Sequence, residues 1–146
     1  MSASEEKIKD YLKSNQRIIL ATTDQEGSPD VRILGGYGLE GYTVYFSTSK
    51  TSNKNTQLSE NKNTAVLFQH ENQFISRYFN VILYGEAALV ENSSEFEKGK
   101  GIIQNKNPNV KITKETHNIY KIVPKKLKVL DFGEATTEER VTVFQL

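Results

Sequence analysis

Apolar side chains along this chain alternate far more often than they cycle. Residues 17–23 (RIILATT), 30–37 (DVRILGGY), 42–48 (YTVYFST) and 63–69 (NTAVLFQ) carry the period of two that sends successive side chains to opposite faces of a strand. In the second run Val31 and Ile33 face one way and Arg32 and Leu34 the other; in the third, Val44 and Phe46 share a face. The long run 74–90 places Phe79, Val81, Leu83, Gly85, Ala87 and Leu89 on one face and Asn80, Ile82, Tyr84 and Glu86 on the other. Gly85 inside it marks a bulge or a sharp bend. Three shorter strands are predicted at 117–123, 127–132 and 141–144.

The 3.6-residue period is confined to short stretches. Residues 4–14 form an amphipathic helix through Ile8, Tyr11 and Leu12, with Ser2 and Glu5 spaced as a capping box. Residues 93–104 form a second, capped by Ser93 or Ser94 and weakened by Gly99 and Gly101. A third begins at Ser52 or Asn53 and leads to Leu58. Turns fall at 24–29 (DQEGSP), at Glu40-Gly41 and at Pro124-Lys125-Lys126. Seven or eight strands, three short helices and no βαβ alternation predict a mainly β (α+β) fold, a small antiparallel barrel with peripheral helices, in one domain over 1–146.

Composition narrows the function. Hydrophobic residues are 36% and charged residues 25% of the 146, the balance of a globular chain, and dimerisation would complete the burial of a small barrel. A net charge of +1 argues against general electrostatic binding of nucleic acid, so any anion site is local. There is no cysteine for disulfides, thiolate metal sites or thiol catalysis. No stretch approaches the roughly 20 apolar residues of a membrane span, and the charged start of the chain is unlike a signal peptide; the expected location is cytoplasmic.

The candidate chemistry lies in 49–57 (SKTSNKNTQ), which has no apolar side chain. One reading is a solvated loop. The other joins its hydroxyls, its two lysines four apart (Lys50 and Lys54) and a helix start into a phosphate site, one that lacks the Walker spacing. Gly35, Gly36 and Gly38 are either a loose strand end or a backbone left bare for a flat group. His70 and His117 read first as surface or hydrogen-bonded structural residues, Tyr37 and Tyr78 as core residues able to stack on a ring. Glu40 and Glu86 form no pair, and hydrolysis has no support. Asn80, polar among apolar neighbours, needs a cross-strand partner or a ligand.

Taken together and in order, VRIL, YFSTSKTSNKNTQL and NTAVLF resemble the FMN-binding split-barrel superfamily. That group includes pyridoxamine 5′-phosphate oxidase, nitroimidazole reductase-like proteins and general stress protein 26 relatives, and the last two are nearest. The resemblance runs from Arg17 to Gly133 and implies a split β-barrel, bound FMN, and a homodimer with flavin at the subunit interface. Arg32, Ile33, Leu34 and Gly35 match the run that lines the flavin. Ser47 and Thr48 match its strand-end hydroxyls, and Ser49 continues that polar end. Ser52, Asn53 and Lys54 match its phosphate clamp, with Asn53 in place of an arginine and Lys50 offering the replacement charge. Asn80 takes the place of a family glutamine. His70 ends a strand near where related reductases place a functional histidine.

Tyr37 replaces the oxidase's lysine, and its carboxy-terminal arginine-histidine motif has no counterpart, which argues against oxidation of pyridoxamine phosphate. The resemblance implies an FMN-dependent oxidoreductase working with a small-molecule electron donor and acceptor, its catalytic residues unassigned. The alternative is a flavin carrier or stress-related flavin-binding module without turnover. Behind these stand the deazaflavin F420, whose anionic tail would want more basic residues, and haem, for which His70 or His117 would be the axial histidine.

Overall fold

Alternation turns directly into burial in the first strands. The computed structural model describes residues 5–74, 76–133 and 140–146. In it β1 (Ile18–Thr23) buries Ile18, Leu20 and Thr22 and leaves the residues between them part-exposed. β2 (Pro29–Leu34) pairs antiparallel with β1, from Ile18 opposite Leu34 to Thr23 opposite Pro29. Its Val31 and Ile33 point outward, 64% and 61% exposed, while Leu34 is buried, as the two-residue period requires.

The remaining strands are β3 (Tyr37–Glu40), β4 (Thr43–Ser49), β5 (Asn63–Gln69), β6 (Phe79–Leu89), β7 (His117–Ile122), β8 (Lys126–Asp131) and β9 (Val141–Gln145). They form one open, curled, antiparallel sheet in the order β2-β1-β5-β6-β7-β4-β3, with β8 paired to β6 and β9 to β8. β6 serves two partners. Its residues 79–84 pair with β8 and its residues 87–89 with β7, and Gly85 stands at the handover. A Cβ on Gly85 would lie 2.9 Å from Ile122 Cγ2 and 3.0 Å from the Val123 carbonyl oxygen, so the bend expected there rests on close approach of the next strand.

β3 is the strand that the sequence pattern misses, because its glycine masks the alternation. Gly38 pairs with Tyr45, and a Cβ there would sit 2.5 Å from the Ile102 carbonyl oxygen of α3 (Ser93–Lys106). Gly99 likewise lets α3 close on the barrel: its Cβ would be 2.9 Å from Tyr45 Cδ1. The sequence reads Gly99 as weakening its helix and Gly38 as a loose strand end or a backbone left bare for a flat group; both are where helix and strand pack. α3 is capped by Asn92 and not by Ser93 or Ser94, since Asn92 Oδ1 accepts from the Ser94 and Glu95 N–H groups at 2.8 and 3.1 Å.

α1 (Glu5–Ser14) contributes Ile8 and Leu12 to the main core with Leu20, Phe46, Phe68 and Leu83. The proposed Ser2 cap lies outside the described residues. A second core of Tyr45, Phe96, Ile103 and Ile119 sits beneath α3. Among the described residues no helix is long and apolar enough to cross a membrane.

Candidate functional site

Among the described residues β2 ends the sheet, with one of its edges paired, and just beyond its end the chain takes a bond from β4: Ser47 N donates to the Gly36 carbonyl at 3.0 Å. α2 (Asn53–Glu60) is set beside this open end. Ser52 caps it in an extended conformation, its Oγ accepting from the Lys54 N–H at 3.2 Å. The polar run is therefore a turn and a capped helix, with Leu58 buried to anchor it.

Two amides of α2 reach in opposite directions. Gln57 Oε1 accepts from Thr22 Oγ1 at 2.6 Å and from Arg32 Nη2 at 2.9 Å, and its Nε2 donates to Asp30 Oδ2 at 3.1 Å. Arg32 closes the ring by donating to Thr22 Oγ1 at 2.7 Å and to Asp30 Oδ2 at 3.0 Å. Asn55 turns the other way, toward β4 and β7, where Thr48, Asn118 and Tyr120 donate to its Oδ1.

Lys54 stands between these two anchors, part-buried. Burial, and then the charge of Arg32, holds its ammonium below the usual lysine range. A hydrogen bond from Gln57 and the charge of Arg32 hold the exposed Asp30 carboxyl below its usual range. Asp30 thus satisfies one flank of Arg32, while Lys54 keeps a positive charge that the fold has partly desolvated and left beside another.

The expected site residues divide. Arg32, Ser47, Thr48, Ser49, Lys50, Asn53 and Lys54 gather around the first turn of α2 and the β4 end. Thr48 is buried, while Ser49, Lys50 and Asn53 are exposed. Leu34 belongs to the core and can offer a ligand only its backbone. Of the three glycines only Gly35 keeps open space, its nearest atom to an added Cβ being Asn107 Nδ2 at 4.0 Å. Gly36 is packed by the protein itself, with Ser47 Oγ 2.8 Å from where a Cβ would be, and Gly38 is closed by α3. Asn80 is apart: it accepts from Gln73 Nε2 at 3.2 Å, and β1 and β5 lie between its strand and Arg32.

Ile33 faces the outer side, where a cavity of about 380 Å³ is lined by Ile19, Ile33, Leu67, Gln69 and His70. His70 is exposed there, its Nδ1 2.9 Å from the Tyr11 hydroxyl. His117 is the histidine beside the polar turn, directly across from Ser49 in the β4–β7 register. Both tyrosines considered for ring stacking already have partners within the protein. Tyr37 is buried with its hydroxyl on the Asn15 carbonyl, and Tyr78 already stacks on Phe132 at 4.4 Å and 13°.

Residues that sequence reasoning passed over include Thr22, Asp30, Asn55 and Gln57. Thr22 carried a usable signal, a hydroxyl in phase with the core positions Ile18 and Leu20. Asn55 carried none, being one amide in a run of polar residues. Among the described residues no three His, Asp or Glu side chains converge as a metal site.

This arrangement can be set beside known proteins. No curated protein matches the chain. Among solved structures, one put forward as a 5-nitroimidazole antibiotic resistance protein of Bacteroides thetaiotaomicron superposes with a TM-score of 0.75 at 17% identity, over 86% of this chain and 82% of that one. General stress protein 26 of Bacillus anthracis gives 0.70 at 19%, over 97% and 98%. A heme binding protein from Mycobacterium smegmatis gives 0.81 at 15%, over 99% of this chain and 59% of that one. At such identities these likenesses establish a shared fold. The sequence profile described as pyridoxamine 5′-phosphate oxidase covers residues 4–130, nearly the whole barrel with α2 and its open strand edge, and the chain belongs to that family of split-barrel proteins.

Proposed function

We propose that this protein is a homodimeric flavoprotein that holds FMN at the open end of its sheet and passes electrons between a small-molecule donor and acceptor. The observation that carries the reading is the placement of Lys54, a part-buried ammonium in the first turn of the Ser52-capped α2, on the helix to which the Arg32 guanidinium is hydrogen-bonded; burial and that neighbouring charge lower its pKa. An anion at that point would relieve desolvation and repulsion together, and a phosphate monoester supplies the most charge in the smallest volume. Arg32 spends its Nη hydrogens inside the protein, so Lys54, with the exposed Lys50 of the adjoining turn, is left to pair with phosphate while Arg32 supplies field.

The fit of a flavin rests on two further features. The unpaired edge of β2 offers backbone donors and acceptors, and the open space over Gly35 admits a flat group. Bound FMN would supply the electron transfer itself, while Lys54, Ser47 and the β2 edge would bind and orient it. The homodimer is supported by the outer face. Val31, Ile33, Val141 and Val143 are 48–64% exposed, and Ile33, Ile19, Leu67 and Ile82 lie in successive register across four strands. Asn80 lies toward that face, so a second copy is the route by which it reaches a flavin. The expected cytoplasmic location goes with this reading.

The test is to titrate the purified protein with FMN and repeat it with Lys54→Ala. Affinity is expected to fall by about 1–3 kcal/mol, the scale of a charge-assisted hydrogen bond, with unfolding unchanged. Unchanged affinity removes Lys54 from the site. Turnover of reduced nicotinamide with a nitroaromatic acceptor supports the enzyme, and tight FMN without turnover a carrier. A haem Soret band or F420 retention would replace the ligand.

A further inference from the structure

α2 is tied to the barrel on both sides of Lys54, and the tie through Asn55 is the denser. Its Oδ1 accepts from Thr48 Oγ1 at 2.8 Å, Tyr120 OH at 2.9 Å and Asn118 Nδ2 at 3.1 Å. Its Nδ2 donates to the Ser49 carbonyl at 2.7 Å and to the Ser52 carbonyl at 3.3 Å. An amide oxygen has two lone pairs, so three donors saturate it and one is surplus. Thr48 and Tyr120 are buried, 2% and 6% exposed, and their hydroxyls hold the oxygen from the barrel side. The amide nitrogen meanwhile spans the turn from the last residue of β4 to the cap of α2. One side chain thus fixes, by five bonds, the turn that carries Lys50 and the helix start that carries Lys54.

We propose that Asn55 is a positioning residue for the phosphate end of the flavin site: it touches no ligand, but sets Lys54 and the 49–52 turn against the end of β4. This rests on the reading of Lys54 as the phosphate partner. Without the Asn55 side chain the Ser49 and Ser52 carbonyls keep only their local donors, chiefly the Ser52 and Asn55 backbone N–H groups, and the turn and helix start lose their tie to Thr48, Asn118 and Tyr120, so Lys54 is no longer held at one place against the barrel. A ring held by the β2 edge would not feel this. A merely structural Asn55 would lower affinity for every flavin alike.

The experiment compares FMN with riboflavin, which lacks the phosphate, on wild type, Asn55→Ala and Tyr120→Phe. Asn55→Ala is expected to weaken FMN about 10- to 100-fold and to change riboflavin by less than about twofold. Tyr120→Phe, which leaves Thr48 and Asn118 to fill the two lone pairs of the Asn55 oxygen, is expected to leave both within about twofold. If Asn55→Ala does not fold, Asn55→Ser, neutral and without an amide N–H for the Ser49 and Ser52 carbonyls, is measured at the same low salt as wild type and is expected to show the same selective loss. Equal loss of FMN and riboflavin, or no loss of FMN, overturns the positioning role. A wild-type protein that binds both flavins equally overturns the phosphate reading itself, and Asn55 with it.

Discussion

Gln57 Oε1 accepts a hydrogen bond from Arg32 Nη2 at 2.9 Å, so a side chain of α2 reaches across to the outermost strand of the sheet. The same oxygen takes Thr22 Oγ1, and the same amide gives a hydrogen to Asp30. Gln57→Leu should leave Arg32 and the buried Thr22 each short of an acceptor. The expected cost is about 1–3 kcal/mol of folding stability, measured by denaturant unfolding. An unchanged midpoint would show that α2 is held by Leu58 and Asn55 alone.

Lys54 gives a pH prediction. Its folded pKa is lowered, so the unfolded chain binds more protons as pH rises through the folded value, and stability contributed at this residue increases with pH there. Phosphate prefers the charged ammonium, so FMN affinity should do the reverse and fall across the same alkaline window. Lys54→Arg, which stays protonated, should keep affinity and lose that fall. An identical alkaline limb in wild type and Lys54→Arg would assign it elsewhere.

Asp30 changes stability in the same direction with pH, but at the acid end. Its folded carboxyl lies below its ordinary range, so its support of the Arg32–Gln57 ring is complete above that range and is lost as pH falls through the depressed folded value. Asp30→Asn should flatten the acid side of the stability profile, a difference that pH-dependent thermal unfolding reads directly.

Gly35 and Gly38 separate a ligand ledge from a packing contact. Gly38→Ala drives a methyl to 2.5 Å from the Ile102 carbonyl and should destabilise the fold by about 1–3 kcal/mol, whether or not flavin is present. Gly35→Ala meets no such atom and should fold normally while weakening FMN. Normal FMN binding by Gly35→Ala would move the ring away from the β2 end.

The outer face carries the dimer prediction. Val31→Lys with Val143→Lys, both at exposed positions, should cost the protomer little yet yield a monomer by sedimentation, with weakened FMN. A dimer that survives both substitutions uses another surface.

Strands were legible where one face is buried, because burial enforces the period of two; β1, β5 and the first half of β6 show it plainly. β3 was hidden because close packing against α3 demanded a glycine where the pattern needs a side chain. The polar run was legible as chemistry but not as geometry: Lys54 stands out by its charge, whereas Asn55 and Gln57 acquire their roles only from β7 and β1, far away in sequence. Asn80 was grouped with Arg32 by resemblance, and two intervening strands separate them within one protomer.

The central claim is that the start of α2 grips the phosphate of a flavin, and the most direct measurement is a pair of titrations of the purified wild-type protein, one with FMN and one with riboflavin. A charge-assisted contact through Lys54 predicts FMN binding tighter than riboflavin by at least about tenfold, with the gap closing as salt is raised. Equal binding of the two, or no binding of FMN at all, would contradict it.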